Sequence, residues 1–213
     1  MQSTHIVFIF LFVSRFALMA SAPFIVTAPF TEREREIIYS GDRDTSFRVL
    51  LVTDPVDSLV LRMRSSDVDP HSIAGDESLQ LLIQRLNVTM SEEGGIGIAA
   101  PQVGVLKNVF LLVRTDLPGQ PTRAIINPKI VNSPEETVCF EGDGCLSIPD
   151  IRGNSLRFAW IDVEYWDEQG YLHREHLKGY SRTDHFPAVI FQHEYDHLQG
   201  VLFTDKICTT IGQ

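Results

Sequence analysis

Apolar residues recur at Leu79, Leu82, Ile83, Leu86 and Met90, a spacing of three and four that predicts an amphipathic helix with its stripe toward a core. Asp76 precedes the run as a cap and Gly94-Gly95 ends it. A second helix is expected in AVIFQHEYDHLQG, residues 188–200. Thr183 or Asp184 can cap it, Pro187 suits its first turn and Gly200 can stop it. Elsewhere the pattern is that of strands. FRVLLV (47–52) reads as a short strand ended by the Asp54-Pro55 turn, NVFLLV and AIINPKIV as further strands, and FAWIDVEYW, DEQG and YLHREHL as a hairpin. Strands in succession followed by a late helix predict an α+β fold on antiparallel sheet rather than a parallel βαβ array. No internal repeat interrupts this order.

Toward the N-terminus the pattern changes. HIVFIFLFVSRFALMASA (5–22) is an apolar run followed by small residues, and no acid precedes Glu32, as in an export or import leader. Met1–His5 holds no Lys or Arg, Arg15 interrupts the run and Pro23 follows Ala20-Ser21-Ala22, so a membrane anchor or a plain apolar extension stands beside a cleaved leader. The run is shorter than the ~20 residues a spanning helix requires. TEREREIIYSGDRDTS (31–46) is charged without a sustained period and reads as an exposed linker. The expected division is a leader-like segment and linker over 1–46, one folded domain over 47–207 and a tail over 208–213.

The chain has 213 residues, enough for one domain with a real core. Its formal net charge is -10 and no Lys/Arg cluster is visible, which argues against a nucleic-acid partner held through phosphates. Cys139, Cys145 and Cys208 are too few and too unevenly spaced for a disulfide framework, so a reduced compartment or a metal-bound thiolate fits them better.

Within the late helix, His193 and His197 lie four apart and Glu194 follows the first, the H-E-x-x-H pattern. Residues four apart share a helix face, so both imidazoles can meet one ion with a carboxylate beside it. A catalytic site needs a third protein ligand and an open position. The extension that would supply a third histidine fails, since Phe203 stands there. Cys145 in EGDGCLSIPD is the better candidate. GGIGIAAPQVG (94–104) suits a backbone lying against a substrate, with Gln102 as an uncharged amide donor. It lacks the third glycine of a dinucleotide fingerprint and the Gly-Lys-Ser/Thr of a phosphate loop.

These three segments, in this order, resemble the peptide deformylase family, whose signatures are G-x-G-x-A-A-x-Q, E-G-C-L-S and Q-H-E-x-D-H. Here they read Gly95 to Gln102, Asp143 to Ser147 and Gln192 to His197. The resemblance implies antiparallel sheets packed around a central metal-binding helix, and one Fe(II), with zinc, nickel or cobalt as substitutes, on Cys145, His193 and His197. It implies Glu194 as proton carrier, and Gln102 and the Leu146 backbone N–H as donors to the formyl oxygen. Ile96, Gly97, Val189 and Ile190 would line a pocket for a methionine side chain. The family's usual Glu before Gly-Cys is Asp143 here, a supporting acid with Arg152 as its basic partner. The implied substrates are N-formyl-methionyl nascent chains at the ribosome, which places the work in the cytoplasm or an organelle; oligomeric state stays open. A zincin-type endopeptidase would share the helix but not Cys145 or Gln102. A non-catalytic structural zinc domain would close four positions with protein ligands, and no fourth is evident.

Overall fold

The computed structural model describes residues 27–209. The leader-like run of 5–22 lies outside the described residues. Among those described, no helix is long and apolar enough to cross a membrane. The described residues form four α-helices, α1 (Glu32–Ile38), α2 (Pro55–Leu61), α3 (Glu77–Glu92) and α4 (Pro187–Leu198), and seven strands. The strands are β1 (Gly97–Ala99), β2 (Val109–Val113), β3 (Thr122–Asn132), β4 (Val138–Cys145), β5 (Ile148–Arg157), β6 (Trp160–Trp166) and β7 (Leu172–Lys178). An antiparallel sheet runs in the order β1-β2-β3-β6-β7, and β4 and β5 form a separate antiparallel pair. This is the expected α+β architecture.

The larger sheet is apolar on both faces, which explains the unbroken run Val109–Val113. Val109 and Leu111 pack with the α3 stripe of Leu79, Leu82, Leu86 and Met90. Phe110 and Leu112 point the other way, into a cluster with Ala188, Ile190, Phe191 and Leu198 of α4. Each fully buried apolar side chain of this kind stabilises by about 1.5–3 kcal/mol. As predicted, Asp76 caps α3 by accepting from Leu79 N at 3.1 Å. The β6–β7 hairpin is also present, with Ile161, Val163 and Tyr165 alternating into the core.

Three local expectations fail. Residues 47–52 form no strand, because no strand lies alongside. Their amides bind different partners in turn: Phe47 N on Thr89 Oγ1 (2.8 Å), Leu50 N on Gln102 O (2.8 Å) and Val52 N on Ser147 O (3.0 Å). The supposed linker contains α1, started by a Thr31–Glu34 capping box. Glu34 is buried and accepts from Leu106 N at 2.9 Å, and Ile38 joins the core. The charge-rich sequence hid a helix because so few of its residues face inward. Finally, α4 is capped by neither Thr183 nor Asp184; Phe186 holds the cap position without a side-chain bond, ahead of Pro187.

The cysteines also depart from expectation. Cys139 of β4 and Cys208 form a disulfide across a separation of 69 residues, and Cys145 is free. The pairing is invisible to spacing because the chain folds back between them: Ser155 of β5 bridges Ile207, and Cys208 N donates to Asn154 O at 3.0 Å. Closing a loop of this length restricts the unfolded chain and typically stabilises by about 2–4 kcal/mol. Cys208→Ser is expected to lose that amount, read from the urea midpoint. Reductant should lower the parent to the same midpoint and leave the variant unmoved; equal midpoints for parent and variant without reductant would show that the bridge contributes nothing.

Candidate active site

Helix α4 runs through the interior, and His193, Glu194 and His197 are all buried. The four-residue step places the two imidazoles together, with ring centroids 5.1 Å apart. β4 delivers Cys145 at its last residue, where the chain turns through Leu146 and Ser147 into β5. Its sulfur lies 3.3 Å from His197 Nε2, and one donor atom from each of Cys145, His193 and His197 lies within 4.8 Å of the others. Two buried atoms at this cluster, Glu194 Oε2 and His197 Nδ1, have no hydrogen-bond partner among the described residues. An unmet buried polar atom costs about 1–3 kcal/mol, so a site of this kind is built for something other than protein. One thiolate and two imidazoles suit a single divalent transition-metal ion, and the residues present fit one.

Asp143 fixes His193. Its Oδ1 lies 3.0 Å from His193 Nδ1, which leaves Nε2 for the ion, while Oδ2 accepts from Ser155 Oγ (2.6 Å) and Arg157 Nη2 (2.8 Å). Burial alone would raise the Asp143 carboxyl, but the His193 hydrogen bond and the charges of His193 and Arg157 hold it well below the usual carboxylate range. Burial would likewise lower His193, and the bond to Asp143 instead holds it well above its ordinary value. His197 has no such acid and is held well below, by burial and then by its cationic neighbours. Burial pushes Glu194 up to about 7.

The basic partner of Asp143 is therefore Arg157, not Arg152. Arg152 is exposed, and among the described residues it reaches only the Gly142 carbonyl, at 3.4 Å. Arg157 is buried and continues to Asp196 (Nη1 to Oδ2, 2.6 Å), which also accepts from Lys206 (2.6 Å). Sequence reasoning missed both Arg157 and Asp196. The signal for Asp196 was its place between Glu194 and His197; that for Arg157 was only its place on an alternating strand, where one residue of register turns it outward.

A cleft of about 630 Å³ opens onto the cluster, and Ile96, Gly97, Leu146, Val189 and Ile190 line it together with Gln102. Gln102 is buried: Oε1 accepts from Ala99 N (2.8 Å), and Nε2 lies 3.2 Å from Ser147 Oγ and 3.6 Å from the Cys145 sulfur. Gly97 lies against the Glu194 side chain. A Cβ there would collide with Glu194 Oε1, so glycine makes room for the carboxylate beside the cluster. Phe140 and Phe186, their rings 5.5 Å apart, also line the cleft, and Phe203 stacks near His193 at 6.3 Å. None of these aromatics belongs to a motif.

Three cysteine and histidine donors, a buried carboxylate beside them and an open cleft define the class as a mononuclear metal-hydrolase site. The Polypeptide deformylase family model matches residues 48–210. Peptide deformylase of Thermotoga neapolitana is 39% identical over 161 residues, covering 76% of this chain and 87% of that one. Peptide deformylase 2 of a Nostoc species is 44% identical over 139 residues, 62% of this chain and 73% of that one. The crystal structure of the Thermotoga maritima enzyme superposes with a TM-score of 0.65 at 37% identity, over 77% of this chain and 99% of that one. A Met-Ala-Ser-bound class I type b enzyme of Acinetobacter baumannii gives a TM-score of 0.65 at 31% identity, over 77% and 99%. The chain belongs to the peptide deformylase family, enzymes that remove the formyl group from peptide N-termini, and the endopeptidase and structural-zinc readings fall away.

Two substitutions read the geometry. Gly97→Ala is expected to displace Glu194 and lower deformylation by roughly 10² to 10⁴ fold with metal content held; unchanged turnover would mean that the carboxylate does not need this place. Asp143→Ala is expected to lower metal retention or rate by roughly 10 to 100 fold, and Asp143→Glu to keep both. An alanine variant equal to the parent in metal content and rate would remove Asp143 from the support of His193.

Proposed function

We propose that the chain hydrolyses the formyl group from the N-terminal methionine of newly synthesised polypeptides, releasing formate. The observation that carries the reading is the unpartnered, buried Glu194 carboxylate oxygen beside the Cys145, His193 and His197 donors at the floor of the cleft. Iron(II), or zinc, nickel or cobalt in its place, would supply there a Lewis acid and a water acidified toward a pKa of ~7. Glu194 takes the proton released when water adds to the formyl carbon and delivers it to the nitrogen as the C–N bond breaks. Burial raises its carboxyl to about 7 in the absence of an ion, and the charge of a bound cation draws it lower.

Gln102 Nε2 and the Leu146 backbone N–H are the donors for the formyl oxygen as it gains charge; losing one such donor typically costs about 3 kcal/mol of barrier. Ile96, Gly97, Val189 and Ile190 hold the methionine side chain. Asp143 positions His193, and Arg157 holds Asp143. Phe30 and Ile38, ahead of Phe47, pack into the same core cluster as α3 and β2.

The substrate class assigns the work to a compartment where formylated chains are made, the cytoplasm or an organelle, with encounter at the ribosome exit and no direct nucleic-acid contact. The Cys139–Cys208 disulfide favours a second reading, in which the enzyme works in an oxidising compartment on formyl peptides that reach it.

Glu194→Gln and Cys145→Ala test the mechanism by contrast. The first is expected to keep stoichiometric metal and lose formate release, the second to lose both. An active Glu194→Gln enzyme would sink the proton-carrier role, and tightly held metal in Cys145→Ala would mean that the third ligand lies elsewhere.

A further inference from the structure

The segment between β7 and α4 carries Arg182 back across the cleft. Its guanidinium lies 5.5 Å from the Phe140 ring centroid and 5.7 Å from that of Phe186. Its Nη2 donates to Gly142 O at 2.6 Å, and Arg152 Nη1 approaches the same carbonyl at 3.4 Å. The approach depends on Gly142: φ there is +73°, and a Cβ would stand 3.3 Å from Arg182 Nε. Two exposed arginines from different elements thus converge on one backbone carbonyl at the rim of the cleft.

Each guanidinium carries five N–H donors, and each gives one to Gly142. Among the described residues neither arginine makes an ion pair, although Glu93 and Asp150 line the same cleft. Two exposed guanidiniums thus stand together at the cleft rim of a chain whose net charge is -10. A planar pair of forks of this kind matches a carboxylate better than any neutral group.

We infer that Arg182, together with Arg152, recognises a carboxylate on the peptide downstream of formyl-methionine, and so makes Arg182 a specificity-determining residue for acidic formyl peptides. The inference rests on the deformylase reading above. The carboxylate has two sources, an acidic side chain a residue or two along the chain or the free C-terminus of a short peptide. Arg152, Arg182 and Glu194 all line the one cleft that would hold the peptide. The Phe140 and Phe186 rings lie beneath the Arg182 guanidinium.

Four substrates separate the possibilities: formyl-Met-Ala-Asp-amide against formyl-Met-Ala-Asn-amide, and formyl-Met-Ala-Ser as free acid against its amide. With the metal-loaded full chain at low ionic strength, at least one carboxylate-bearing member is expected to show a kcat/KM roughly 3- to 10-fold above its neutral counterpart, carried by KM. Which pair shows it identifies the source. The preference should fade near 1 M salt, where the screening length falls to ~3 Å. Arg182→Gln is expected to bring the ratio to about one, and Arg182→Lys to keep part of it. No preference in the parent overturns the proposal. So does an Arg182→Gln variant that slows charged and neutral substrates equally, which would leave Arg182 as a latch for the Gly142 turn. No turnover of any of the four counts instead against the deformylase reading itself.

Discussion

The Asp143 carboxylate is the joint on which the site depends. It accepts from His193 of α4, from Ser155 of β5 and from Arg157 at the end of that strand, and Arg157 hands the connection on to Asp196 and Lys206. One chain of charges therefore ties the metal-ligand helix, both strands of the small sheet and the turn after α4. Such a buried network contributes little net stability against a well-packed apolar substitute, but removing one partner leaves a buried charge and costs about 3–5 kcal/mol. Its value here is orientation: it fixes which His193 nitrogen faces the Cys145 sulfur.

Around that joint the fold supplies two further constraints. The larger sheet is covered on both faces, by α3 and by α4, so the helix that carries His193, Glu194 and His197 is held by core packing along its length. Gly97, in the edge strand beside it, leaves the space that the Glu194 carboxylate fills. The segment 47–52 then links the site to the rest of the domain, through Leu50 on Gln102 and Val52 on Ser147. The site is thus assembled from four distant stretches of chain, each fixed by its own hydrogen bonds.

Much of this was legible in the sequence where the causes are local. The α3 stripe, the β6–β7 hairpin and the pairing of His193 with His197 on one helix face all follow from spacing, and three ordered motifs brought Cys145 and Gln102 to the same cleft. What stayed hidden is decided by partners far along the chain. Arg157 becomes a buried ion-pair residue only once β4 and β5 pair. The Cys139–Cys208 bridge needs the chain after α4 to return along β5. Helix α1 was hidden because its charged residues other than Glu34 face water, and only Glu34 and Ile38 are buried. The run 47–52 has the apolar character of a strand, but no neighbour to pair with.

The proposed reaction depends on a single ion held by one sulfur and two imidazole nitrogens, with room left for water and substrate. X-ray absorption on the zinc-loaded chain tests it most directly. One sulfur at ~2.3 Å and two nitrogens at ~2.0–2.1 Å are expected, with the remaining shell filled by a light atom that an added hydroxamate or thiol ligand displaces. A shell without sulfur, or one closed by four protein donors that no added ligand displaces, would contradict it.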